Sequence, residues 1–81
     1  MTIGCTQNGM HEHSDESYQG GEYSLLIYLT TVTKGGETVF DYESIKPKAG
    51  QAVLIHNRAK HYSNPVISSE NKYIIAVEVS P

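Results

Sequence analysis

The chain alternates between short apolar runs and polar turns, with no helical stripe longer than about two turns. Residues 1–22 are polar and hold Gly4, Gly9, Gly20 and Gly21. Tyr23 to Thr31 is rich in Leu, Ile, Tyr and Thr, which predicts a strand. The turn Lys34-Gly35-Gly36 separates it from a short run, Glu37 to Tyr42. A second turn, Pro47-Lys48-Ala49-Gly50, leads into Ala52 to Ile55. Lys60 to Ile67 predicts a short strand interrupted by Pro65, and Tyr73 to Val79 a β-branched last one. Short strands punctuated by Gly and Pro indicate an all-β sandwich or barrel. Alternation then assigns faces. Ser24, Leu26, Tyr28 and Thr30 share one side of the first long strand, and Tyr23, Leu25, Ile27 and Leu29 the other. In the last strand Lys72, Ile74 and Ala76 oppose Tyr73, Ile75, Val77 and Val79, so a lysine heads an otherwise apolar face.

Composition narrows the class. Eighty-one residues make one small domain, which buries roughly 60–65% of the surface its unfolded chain exposes. Nine acidic and six basic residues give a net charge of −3 with no Lys/Arg cluster, so neither nucleic acid nor a membrane surface is expected as a partner. The single cysteine, Cys5, excludes an internal disulfide and a CxxC zinc site. No apolar run approaches the roughly 18 residues of a membrane span, and no signal-peptide core opens the chain. The expectation is a soluble, intracellular domain, in the cytoplasm.

The candidate chemistry lies in His13-Ser14-Asp15 and His61. Two residues apart on an extended chain, an imidazole and a carboxylate can project from one side, and His61 is the natural distant third ligand. Two histidines and a carboxylate leave three open octahedral positions, as non-haem Fe(II) oxygenases require. An H-x-D tripeptide alone more often decorates a solvated loop. Here it is followed, in order, by Tyr28-Leu29-Thr30, Gly35-Gly36-Glu37-Thr38-Val39-Phe40, Lys46-Pro47-Lys48-Ala49-Gly50-Gln51-Ala52, His61, Pro65-Val66 and Lys72-Tyr73.

This series resembles the catalytic part of the Fe(II)/2-oxoglutarate-dependent dioxygenases, in particular the prolyl 4-hydroxylase-like group, from about residue 11 to 79. The resemblance implies a double-stranded β-helix (jelly-roll) core and Fe(II) held by His13, Asp15 and His61. It implies 2-oxoglutarate as cosubstrate, its distal carboxylate paired with Lys72 and hydrogen-bonded by Tyr28, and ascorbate as a further cofactor. The implied reaction hydroxylates a C–H bond of a protein, peptide or small-molecule substrate, with a peptidyl proline favoured. The residue-level alternatives are a solvated Lys72 and a Tyr28 that only packs in the core. Gly35, Gly36 and Gly50 read as turn glycines supplying positive φ. The loop Glu16 to Glu22 is a candidate lid.

The sequence departs from the family pattern in three ways. Lys72 follows His61 by eleven residues where ten is usual, which places a one-residue insertion within Ser68 to Asn71. Thr30 stands where Asn is common. The family's strand before H-x-D and its backing helices have no evident counterpart, so a partial domain is expected. Its open edge and uncovered face would favour self-association or the remainder of a longer chain.

Two rival readings remain at this point. A cupin would use His11-Glu12-His13, Glu16 and His61, but only two residues separate His13 from Glu16, and neither the Gly35–Phe40 series nor Lys72 is explained. A non-catalytic binding module could keep the same fold. His56 and Cys5 read as structural, Asp41 and Glu43 as no acid pair, and Arg58 as the other cation that could hold the carboxylate.

Overall fold

A computed structural model describes residues 2–14 and 22–79. These form two four-stranded antiparallel sheets, and no helix occurs among the described residues. The first sheet takes the order β1 (Thr2–Cys5), β8 (Tyr73–Val79), β3 (Tyr23–Tyr28), β6 (Ala52–His56). The second takes the order β2 (Met10–His13), β7 (His61–Ser63), β4 (Thr38–Val39), β5 (Ser44–Ile45).

The long apolar runs form the first sheet. β3 pairs with β8 from Tyr23↔Val79 to Tyr28↔Ile74, and with β6 from Tyr23↔His56 to Ile27↔Ala52. This register puts Leu26, Tyr28, Val53, Ile55, Ile74 and Ala76 on one face, as alternation predicts, since directly opposed residues share a face. Tyr28 and Ile55 are buried there, and Val32, Phe40 and Pro47 complete the core. On the other face Leu29, Leu54 and Tyr73 are exposed, while Leu25, Ile27, Ile75 and Val77 are half-buried.

Several boundaries differ from the sequence reading. The first long strand ends at Tyr28, not Thr31, because Thr30 Oγ1 takes over the pairing: it donates to Asn71 O at 2.7 Å and accepts from Tyr73 N at 3.0 Å. Glu37 to Tyr42 contracts to Thr38–Val39, since Phe40 N turns back to donate to Glu43 O. The polar segment before residue 22 carries two strands, and β1 precedes the H-x-D motif where the sequence suggested no strand. β1 is held in register with β8, Thr2↔Ala76 through Cys5↔Tyr73.

The Gly35–Gly36 turn behaves as expected, with φ of 75° and 74°. Its backbone runs so close to the chain after β7 that a Cβ on Gly35 would lie 2.2 Å from Pro65 O. Only glycine accommodates both demands.

Candidate active site

His13 and His61 stand directly opposite each other where β2 pairs with β7. A bulge between Met10 and His13 creates this alignment, since Met10 pairs with Ser63, two residues from His61. Bulges commonly re-aim a side chain beside an active site. Asp15 and most of the candidate lid, residues 16–21, lie outside the described residues. Among the described residues, no three His, Cys, Asp or Glu side chains gather as a metal-binding group.

His61 is 7% exposed and packs against Phe40, ring centroids 5.5 Å apart. Its Nδ1 lies 2.9 Å from Ala59 O. A carbonyl only accepts, so Nδ1 carries a proton, and in the neutral ring that leaves the lone pair on Nε2. That is the tautomer a metal-ligating histidine uses, with its other nitrogen fixed by a backbone carbonyl. The chemistry of this donor fits a metal ligand.

Lys72 lies just before β8, on the Tyr28 face, two positions from Ile74, which pairs with Tyr28. It is 2% exposed. Its stem runs past Gly36, where a Cβ would lie 3.4 Å from Lys72 Cδ. Burial lowers its pKa, and the Glu37 charge partly opposes that shift. Glu37 itself is held below the usual carboxylate range, first by its own backbone N–H, then by the Asn64 amide, which donates at 3.2 Å. Among the described residues, no carboxylate forms an ion pair with Lys72. A buried cation without a contact counter-ion is costly, so the solvated-lysine alternative is excluded and an anionic guest is chemically suited.

Tyr28 is fully buried, and its hydroxyl lies 2.7 Å from Thr38 Oγ1. Burial raises its pKa, against a smaller lowering by the Thr38 bond, so the phenol stays a neutral donor at neutral pH. Thr38 is 2% exposed and adjoins the candidate site, although the sequence reading did not single it out. The signal available was alternation, which places Thr38 and Phe40 on one side of the Glu37–Tyr42 run. Thr38 pairs with Ser63, whose Oγ is buried with no hydrogen-bond partner among the described residues. A buried orphan hydroxyl beside Thr38 is a second unmet polar requirement at this position.

The other candidates resolve simply. Arg58 is exposed in the turn after β6 and His56 is exposed beside it, accepting from Arg58 N at 3.1 Å and meeting Tyr23 edge-on. Cys5 is exposed too, its thiol 3.6 Å from Gln7 Oε1. Asp41 and Glu43 are exposed.

The model of the 2OG-Fe(II) oxygenase superfamily matches residues 1–77, and the chain belongs to that superfamily. At this level, membership supports dioxygenase chemistry with iron(II) and 2-oxoglutarate, and it favours that reading over a cupin. No curated protein and no solved structure gives a significant match. No helix among the described residues is long and apolar enough to cross a membrane.

Proposed function

We propose that this chain is an Fe(II)- and 2-oxoglutarate-dependent hydroxylase of the prolyl 4-hydroxylase-like kind, built on a jelly-roll core. The fold reading is supported by chain order: every step from one strand to the next changes sheet except β4 to β5, as a double-sheet jelly roll requires. The observation that carries the functional reading is the buried Lys72, on the sheet face that also holds the buried Tyr28 hydroxyl, and without a contact carboxylate among the described residues.

In this reading His13, Asp15 and His61 hold iron(II). His61 presents Nε2 because Ala59 O fixes the proton on Nδ1. Lys72 pairs as a point charge with the distal carboxylate of 2-oxoglutarate. Tyr28 donates its hydroxyl proton to that same carboxylate. Thr38, hydrogen-bonded to Tyr28, orients the phenol, and Ser63 Oγ offers a further donor. Phe40 covers His61 and keeps water from that side of the ring. The chemistry supplied by the bound metal is oxygenation: 2-oxoglutarate, O₂ and a substrate C–H group become succinate, CO₂ and a C–OH group. The protein contributes binding, orientation and exclusion of water.

Prolyl specificity rests on the resemblance of the motif series. Incubation with iron(II), 2-oxoglutarate and a set of proline-containing peptides tests it. One oxygen atom added at proline per succinate formed is the expected result. Decarboxylation of 2-oxoglutarate with every peptide unmodified would reject the prolyl substrate and keep the oxygenase.

A further inference from the structure

Lys72 is delivered by a turn, Ser68 to Lys72, whose backbone is gripped by side chains from distant parts of the chain. The most extensive grip comes from Gln7, in the turn between β1 and β2. Its Oε1 accepts the Lys72 backbone N–H, and its Nε2 donates to Glu70 O at 3.1 Å. One amide therefore holds both ends of a three-residue stretch that ends on the buried lysine. The Gln7 carbonyl accepts from Val66 N at 2.8 Å, and Thr6 N donates to Lys72 O at 3.1 Å.

Gln7 is itself rigidly placed. Gly9, two residues on, has φ of 76°, and a Cβ there would lie 2.5 Å from Ser63 O. The turn is thus wedged against the end of β7, the strand of His61, and leads straight into β2, the strand of His13. A long flexible side chain such as lysine keeps a fixed charge position only if its backbone origin and stem are both confined. Gly36 confines the stem, and Gln7 confines the origin.

We propose that Gln7 is a positioning residue for cosubstrate recognition: it fixes Lys72 at the distance from the metal-bearing strands that a five-carbon keto diacid needs. The inference rests on the assignment of Lys72 to the distal carboxylate. It therefore predicts an effect on discrimination between 2-oxoglutarate and 2-oxobutanoate, the same keto acid without the distal carboxylate.

The test uses the full chain loaded with Mn(II), the variants Gln7→Met and Gln7→Glu, and Lys72→Ala as the reference. Affinities for both acids are measured by calorimetry, and exchange of the Lys72 amide proton is followed in the protein without metal. Gln7→Met keeps the volume and loses both hydrogen bonds. It should speed Lys72 amide exchange and reduce the preference for 2-oxoglutarate about tenfold, leaving 2-oxobutanoate unchanged. Gln7→Glu keeps the acceptor and loses the donor, so it should lie between wild type and Gln7→Met. It decides the matter if Gln7→Met does not fold. Lys72→Ala should abolish the preference altogether. If Lys72→Ala abolishes it and both Gln7 variants retain it, or weaken both acids equally, Gln7 is structural only and the proposal is overturned. If Lys72→Ala itself leaves the preference intact, the carboxylate assignment fails, and the proposal with it.

Discussion

The Tyr28 and Thr38 hydroxyls meet at 2.7 Å, one from β3 and one from β4, so a single buried hydrogen bond ties the first sheet to the second. It also lies on the face that carries Lys72. In the proposed function, stability and cosubstrate recognition share atoms here. Tyr28→Phe should cost about 1–3 kcal/mol, because it leaves the Thr38 hydroxyl buried without its partner. Tyr28→Phe combined with Thr38→Val should recover part of that loss, since the orphan is removed too. Urea unfolding of the two single variants and the double variant measures the coupling. Additive losses would show that the two hydroxyls do not stabilise each other.

The buried lysine makes an opposite prediction for the protein without ligand. Lys72→Met removes a buried charge and keeps an unbranched stem over Gly36, so it should stabilise the unliganded chain by about 1–2 kcal/mol. The sign of the pH dependence follows from the direction of the shift. Lys72 has a folded pKa below its unfolded value, so the unfolded chain binds more protons between the two. The penalty is fully present below the folded pKa and fades as pH rises through it toward 10.5. The stability gap between Lys72→Met and wild type should narrow over that range. A gap that widens with pH would mean the charged form is favoured in the folded state.

Glu70 responds in the acid range. Hydrogen bonds from Ser68 and Thr33 hold its carboxyl below the usual value, with Thr33 Oγ1 at 3.1 and 3.0 Å from its two oxygens. A depressed folded pKa gives stabilisation present above about 4.5 and lost as pH falls through the folded value. Glu70→Gln should therefore differ from wild type at pH 7 and converge on it in acid. Denaturation midpoints at the two pH values check this, and a constant difference would contradict it.

Gly36→Ala tests the floor beneath Lys72. Its φ of 74° disfavours alanine, and the new Cβ would press on Val66 Cγ2 at 3.3 Å and Lys72 Cδ at 3.4 Å. The expected loss is about 1–2 kcal/mol in stability, accompanied by weaker 2-oxoglutarate binding as the stem is displaced. Stability lost with affinity unchanged would separate the glycine from the lysine.

Much of the first sheet was legible because its strands are long, apolar and β-branched. Tyr23–Tyr28, Ala52–His56 and Tyr73–Val79 each announce themselves; alternation grouped Tyr28 with Leu26 and Lys72 with Ile74, and the pairing of Tyr28 with Ile74 then puts the two groups on one face. The second sheet was harder. Met10–His13 is polar, and Thr38–Val39 and Ser44–Ile45 have two residues each, too few for a period to show. Thr2–Cys5 is a strand because β8 offers it a partner, a long-range fact that no local propensity encodes. Site residues divide along the same line. Lys72, Tyr28 and His61 stood out as candidates within the motif series, whereas Thr38, though inside it, and Gln7 are marked only by hydrogen-bond partners ten and sixty-five residues away.

The most direct measurement is an anaerobic calorimetric titration of the chain with iron(II) and then with 2-oxoglutarate. The account predicts one iron(II) per chain, lost in His13→Ala, Asp15→Ala and His61→Ala. It predicts 2-oxoglutarate binding that needs the metal and falls sharply in Lys72→Ala, while that variant still binds iron(II). Iron(II) binding that survives Asp15→Ala but not His11→Ala, or 2-oxoglutarate bound equally well by Lys72→Ala, would contradict it.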